Sequence, residues 1–192
     1  MSHGTMTATL RREVVPSSVL GMLLLIGAEV MFFAGLISAF TIAQAGAEAG
    51  RWTTPTAPLL PFASTLSNTA ALLMSGVCVF LAHRRIKQQR GGAERLMMAA
   101  CVLGAIFVVL QGREWVALLS QGLTMQSGGL GAFFYLIVGA HALHAVVAIV
   151  ALGMAWWRLR IGTLTDGFLF GTETFWYFVV LLWPIIYARV YF

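Results

Sequence analysis

Two histidines three residues apart could do chemistry in an otherwise apolar stretch, and an acid lies inside an earlier one. His141 and His144 occur within Phe133–His144, and Glu29 lies about eleven residues into the first long apolar run. A spacing of three places two side chains on one face of an α-helix. Because a polar group inside hydrocarbon is costly unless it has a partner, the rest of the sequence must supply partners.

These residue types leave several roles open. We interpret the histidines as hydrogen-bonded packing residues that join helices, a common role for intramembrane polar side chains. A haem axial ligand would need a second ligand at the same height and room for the ring. A di-iron site in a helix bundle would need two Glu-x-x-His pairs, and the sequence has none. Glu29 is either a proton carrier or a neutral buried acid.

The composition indicates an integral membrane protein. Hydrophobic residues make up 59% of the 192 residues and charged residues 10%, and the mean hydropathy is +0.86. Soluble domains have about a quarter charged residues. The apolar runs are long and continuous, which favours helices over a barrel. The net charge of +5 does not indicate nucleic-acid binding, because the basic residues flank the apolar runs instead of forming a face.

The chain is predicted to be all-α, with a polar arm over residues 1–16 and a single five-helix transmembrane domain over 17–192. Glu173 near the start of the last helix suits the positive end of a helix dipole. Pro184 is expected to kink that helix. The predicted helices cover about 19–44, 62–83, 93–119, 130–157 and 172–192.

The basic residues predict the orientation. Nine of them fall on one side of the predicted spans, whereas Arg51 and Arg189, with Arg113 nearby, fall on the other. The positive-inside rule then places the N-terminus in the cytoplasm and the C-terminus outside. We expect a multi-pass protein of the bacterial inner membrane. The nine are Arg11, Arg12, Arg84, Arg85, Lys87, Arg90, Arg95, Arg158 and Arg160.

Four motifs in order and register resemble cytochrome c oxidase subunit III, over essentially everything from Leu20 onward. Each motif is short, and the four together over five helices are specific. The family usually has seven helices, and this chain resembles a five-helix form that lacks the first two. The motifs are Glu29–Leu36, Asn68-Thr69 with Ser75-Gly76 and His83, Leu110-Gln111 with Glu114-Trp115, and Gly139–His144.

The resemblance implies a non-catalytic subunit of a haem-copper terminal oxidase that packs beside catalytic subunit I. The complex would pass electrons from cytochrome c to oxygen and pump protons, in aerobic respiration. The chain itself would carry no haem, copper or other metal, and no catalytic residue. It would hold phospholipids, protect the catalytic subunit and support its proton uptake.

The resemblance also assigns residues. Glu29 matches the family's intramembrane glutamate, His141 and His144 match its paired histidines, and Glu114 matches the acid of its Gln-x-x-Glu-aromatic motif. Together with Asn68 and Arg113 they form the expected lipid-binding or structural polar network. We expect Arg113 to bind a lipid phosphate or a neighbouring subunit's acid.

The last helix departs from the family pattern Trp-His-Phe-x-Asp. Tyr177 stands where the family has His, and Val180 stands where it has Asp. Since both partners are replaced, neither is left unpaired. Two rival functions stay open: an accessory subunit of a quinol oxidase or nitric oxide reductase, and a small proton-coupled transporter. A third rival is a haem-binding anchor, which a colourless isolated chain would exclude.

Overall fold

The structure, a computed structural model, describes residues 17–47, 52 and 62–191. Within these ranges it has five α-helices and no strand. Each helix is long and apolar enough to cross a membrane, so the predicted all-α membrane bundle is confirmed. The predicted N-terminal arm and most of the first loop lie outside the described residues. The helices are α1 (Ser17–Gly46), α2 (Phe62–Lys87), α3 (Ala93–Ser120), α4 (Gly129–Arg160) and α5 (Asp166–Val190).

Helix α5 is the centre of the bundle. It contacts α1, α2 and α4, while α4 also contacts α1 and α3, and α2 pairs with α3. The indole rings of Trp176 and Trp183 on α5 are almost fully enclosed. Helix α1 lies at the edge: Phe33 and Phe40 are buried, whereas most of its other large side chains face outward. Its attachment therefore depends on few contacts.

The fifth helix begins earlier than predicted because Thr165 caps it. The Thr165 hydroxyl accepts a hydrogen bond from the backbone N–H of Phe168. Asp166 consequently occupies the first turn, and Glu173 lies about two turns inside the helix. The predicted dipole role of Glu173 is wrong, since the dipole effect falls off within the first turn. The helix continues through Pro184 to Val190.

The described basic residues are divided between the two ends of the bundle as the sequence predicts. At one end Lys87 pairs with Asp166 at 2.9 Å and Arg160 pairs with Glu94 at 3.5 Å. At the other end Arg189 donates to the Thr41 hydroxyl at 2.9 Å, which joins α5 to α1. The assignment of these ends to cytoplasm and exterior stays a prediction.

A glycine on α3 makes room for the most deeply buried indole. A methyl carbon at Gly104 would lie 2.6 Å from Cη2 of Trp176, and also 3.3 Å from Ile149. Trp176 reaches this position from α5. A small residue at this point therefore lets an aromatic ring bridge two helices whose backbones are not neighbours.

The Gly104→Ala substitution should lower the free energy of unfolding by about 1–3 kcal/mol, because the ring has no space to move into. Gly112→Ala on the same helix is the matched control, since a methyl carbon there meets no atom within 4 Å. The control should be neutral or more stable by up to about 1 kcal/mol. Unfolding in mixed detergent micelles measures the free energy of unfolding of both variants. Equal losses of stability in the two variants would contradict the role of Gly104.

Candidate functional site: polar contacts inside the membrane bundle

The structure brings the intramembrane acid and one of the two histidines together. Glu29 on α1 lies with its Oε2 3.0 Å from Nε2 of His144 on α4. Both side chains are mostly enclosed, with 22% and 16% of their surfaces exposed. Phe33 and Phe178 pack against the imidazole, with ring centroids 5.3 and 6.4 Å away. The contact therefore ties α1 to α4 in apolar surroundings.

The second nitrogen of His144 fixes its hydrogen-bonding role. Nδ1 lies 2.7 Å from the carbonyl oxygen of Ala140. Since a carbonyl only accepts, Nδ1 must carry a proton and donate it. Nε2 and the Glu29 carboxyl then share one further proton, which sits either on the acid, giving a neutral pair, or on the ring, giving an ion pair. Either state satisfies both groups, and the pair could exchange its proton without moving.

His141 has different surroundings from His144. Its side chain is 1% exposed, and its ring lies 5.0 Å from the Trp183 ring at an interplanar angle of 30°. Phe107 meets it edge to face. Neither ring nitrogen has a hydrogen-bond partner among the described residues. The expectation of hydrogen-bonded packing therefore fits His144, whereas His141 packs through its ring.

Glu114 on α3 is the centre of a second polar cluster, which joins α3 to α2. Its Oε2 accepts from the Thr65 hydroxyl at 2.8 Å and from Nε2 of Gln111 at 3.0 Å. Its Oε1 accepts from Nδ2 of Asn68 at 3.3 Å. Gln111 also donates to the Tyr191 hydroxyl at 3.1 Å. The carboxyl thus accepts three donors from two helices on its two oxygens, whereas the single oxygen of an amide of the same size has lone pairs for two.

The tyrosine that ends this cluster stays protonated. Burial, followed by the nearby Glu114 carboxyl, raises the pKa of the Tyr191 phenol above its usual range. The phenol therefore keeps its proton as a donor while it accepts from Gln111. Thr69 extends the polar contacts to α5: it accepts from Nε1 of Trp183 at 2.9 Å and donates to the Thr65 carbonyl at 2.8 Å.

Arg113 and Glu114 are adjacent in sequence and separate in role, as their positions around a helix predict. Arg113 is exposed and, within the described residues, takes part in no ion pair or hydrogen bond. It lines a surface pocket of about 360 Å³ together with Asn68 and Glu114. The pocket therefore has space for the lipid phosphate or subunit acid that we expect Arg113 to bind.

A third contact was missed by sequence reasoning. Oε2 of Glu173 on α5 lies 2.7 Å from Nδ1 of His83 on α2, and Glu173 is 6% exposed. The sequence signal was present: an acid inside an apolar run, and a histidine at the end of a helix. A position in the first turn of the helix would account for the charge of Glu173 without a partner, which is why the sequence alone does not indicate the contact with His83.

No group of three or more His, Cys, Asp or Glu side chains in the described part of the chain could hold a metal ion. His141 and His144 do not converge on one point, since one faces Trp183 and the other faces Glu29. Fold and site together define a class: an integral membrane bundle with five helices in its described part, in which intramembrane acids and His144 bond one helix to another.

The comparisons with known proteins identify the family within that class. The family model for cytochrome c oxidase subunit III matches residues 1–192. Cytochrome c oxidase subunit 3 of Neurospora crassa is 33% identical over 90% of this chain and 66% of its own length. The subunits of Latimeria chalumnae and Homo sapiens are 33% and 31% identical, each over 89% of this chain and 67% of theirs. The chain belongs to the cytochrome c oxidase subunit III family, and it spans about two thirds of the length of these relatives.

At position 180 of the last helix, where the sequence departs from the family pattern, the side chain packs against a neighbouring helix. Val180 is buried, and its Cγ1 would lie 3.2 Å from a methyl carbon placed at Gly76 on α2. Valine therefore fills the space over a glycine where the family pattern has Asp. Two helices approach closely here through apolar contact, so the substitution leaves no buried donor or acceptor at this position.

The bond between Glu29 and His144 should appear as a coupling free energy. In a double-mutant cycle of Glu29→Leu and His144→Leu, we expect about 1 kcal/mol of interaction in the free energy of unfolding. The control cycle pairs Glu29→Leu with His141→Leu, where no direct bond exists, and should give less than about 0.5 kcal/mol. Similar couplings in both cycles would show that the contact is not specific.

Proposed function

We propose that this chain is a non-catalytic subunit III of a haem-copper terminal oxidase, and that it packs beside the catalytic subunit in aerobic respiration. The observation that carries the proposal is the family match over the whole chain, together with the position of the family's intramembrane acid and histidines. Glu29 and His144 bond to each other across two helices, so these side chains are used in holding the bundle together. Haem and copper would belong to partner subunits.

Phospholipid retention is the second part of the proposal. An apolar groove of about 640 Å³ lies between α1 and α5, lined by Val30, Ile37, Phe178 and Leu181 among others. A separate pocket of about 470 Å³, formed by α1, α4 and the start of α5, is lined by Arg158, Met22 and Phe175 among others. A cation beside apolar side chains suits a phospholipid, whose phosphate would lie at the arginine and whose acyl chain would lie along apolar surface.

Support of proton uptake is the third part. The Glu29 and His144 side chains share one proton and are partly exposed. Phe33 and Phe178, which pack against the His144 ring, also line the groove between α1 and α5. The protonation state of the pair is thereby linked to the packing of α1 and of any lipid in that groove. Through this packing the chain would preserve the catalytic subunit during turnover.

Purification in mild detergent from the native membrane tests the assignment. We expect an affinity-tagged chain to bring with it a haem-bearing subunit with oxygen-reducing activity, in the inner membrane if the source is a bacterium. The chain dissociated from that complex should show no Soret absorption. A chain that is stable alone and moves a solute in liposomes would instead be a transporter, which would refute the proposal.

The electron donor distinguishes the remaining rivals in the same preparation. Oxidation of reduced cytochrome c with oxygen consumption supports the proposal, whereas activity with quinol alone or with nitric oxide assigns the chain to another complex. In the Glu29→Gln variant we expect activity to decline faster with turnover and bound lipid to fall. His144→Gln is the companion variant, and it should behave in the same way if the pair acts as a unit.

A further inference from the structure

Three arginines converge on one pocket at the basic end of the bundle. The pocket has a volume of about 400 Å³ and lies where α2 passes into the turn before α3. Its lining contains no acidic residue. The residues are Leu81, Arg84, Arg85, Gln88, Arg90 and Gly91.

The carboxylates at this end of the bundle are committed to other cations. Asp166 pairs with Lys87, Glu94 with Arg160, and Glu173 with His83. Within the described residues, no carboxylate pairs with any of the three pocket arginines. Three cationic side chains that line one pocket repel each other. An anion from outside the chain would offset this repulsion.

Contacts within the chain orient two of the three arginine side chains, those of Arg85 and Arg84. Nη1 of Arg85 donates to the Gly91 carbonyl at 3.2 Å, which leaves its other N–H groups available. Arg84 lies over the Phe80 ring, 6.0 Å from its centroid. Gly92 has φ 87°, and a methyl carbon there would lie 2.5 Å from Nη1 of Arg85. A side chain at position 92 would be strained at this φ, and it would also displace the Arg85 guanidinium from its present position.

The chemistry of the donors selects a phosphate. A guanidinium is planar, is always charged and presents donors in a fork that matches two oxygens of a phosphate. Three such groups around one pocket can bind several oxygens of the same anion. A phosphate diester presents two charged oxygens, each with lone pairs for more than one donor, so neighbouring guanidinium groups can bind it together.

The surface below the pocket selects a lipid as the source of that phosphate. Three apolar side chains precede the arginines on α2 by about one to two turns: Val77, Phe80 and Leu81. They are 49%, 52% and 40% exposed. The outer side of α2 therefore changes from apolar to cationic within a short distance, as a membrane surface does. A phosphate held by the arginines would leave an attached acyl chain lying along these apolar side chains.

We propose that Arg84, Arg85 and Arg90 bind the phosphate of an anionic membrane phospholipid, whose acyl chain lies along the outer face of α2. The site is separate from the groove between α1 and α5, because it is formed by α2 and the turn that follows it. It requires only that the chain lies in a membrane with its basic end at one surface.

The test counts bound lipids by native mass spectrometry. The full chain, with the subunits that accompany it, is freed of lipid and titrated with phosphatidylglycerol or with phosphatidylcholine. We expect the triple variant Arg84→Gln/Arg85→Gln/Arg90→Gln to bind one phosphatidylglycerol fewer, with affinity for that lipid at least about tenfold lower. Binding of phosphatidylcholine should not change. Arg95→Gln, an exposed arginine on the same side outside the pocket, is the matched control and should bind as the unmodified protein does.

Single variants and a phosphate control give further tests of the proposal. If the triple variant does not fold, the single variants Arg84→Gln and Arg90→Gln should each weaken phosphatidylglycerol binding about fivefold. Arg158→Gln tests the lipid of the proposed function and should leave this site occupied, so the two proposals fail separately. Unchanged phosphatidylglycerol binding in the triple variant would overturn the inference. Binding of inorganic phosphate at this site by a protein that takes up no phosphatidylglycerol there would also overturn it, because the site would then hold a free anion.

Discussion

The attachment of α1 to the bundle depends on the contact between Glu29 and His144. Lipid tails are as apolar as leucine side chains, so burial of apolar surface does not hold one helix against another inside a membrane. Helix α1 buries few side chains, yet it forms one wall of the groove between α1 and α5. A bond between two polar groups, each costly to leave unpaired in hydrocarbon, supplies the specificity that packing alone does not. The Arg189 contact with Thr41 adds a second tie at one end.

The cost of leaving a polar group unpaired inside the membrane also explains the contacts elsewhere in the bundle. Glu114 gathers donors from α2 and α3, and Glu173 reaches His83 across α2 and α5. Trp183 donates to Thr69, and the same indole packs on His141. Each acid inside the bundle is thereby used in a contact between helices. This arrangement differs from a metal site, where several ligands would turn toward one point.

The sequence predicted the helices and their number because long apolar runs and flanking charges are local features. It also placed Glu29 well inside the first helix, since depth follows from the distance along a helix and Glu29 lies about eleven residues into the run. It did not predict that His141 would lack a hydrogen-bond partner, because rotation of a helix about its axis depends on packing with all its neighbours. The position of Glu173 within the last helix differs from the prediction for a simpler reason. Thr165 caps this helix, so the helix begins earlier than the sequence pattern predicts.

Amide hydrogen exchange of the intact chain tests most directly whether the Glu29 contact holds α1 in place. In the Glu29→Leu variant the account predicts faster exchange confined to α1, with α2, α3 and α5 protected as in the unmodified protein. The substitution makes α1 more apolar, so faster exchange could not come from weaker partitioning into the membrane. Unchanged protection of α1, or a uniform increase over all five helices, would contradict the claim that this bond fixes α1 to the bundle.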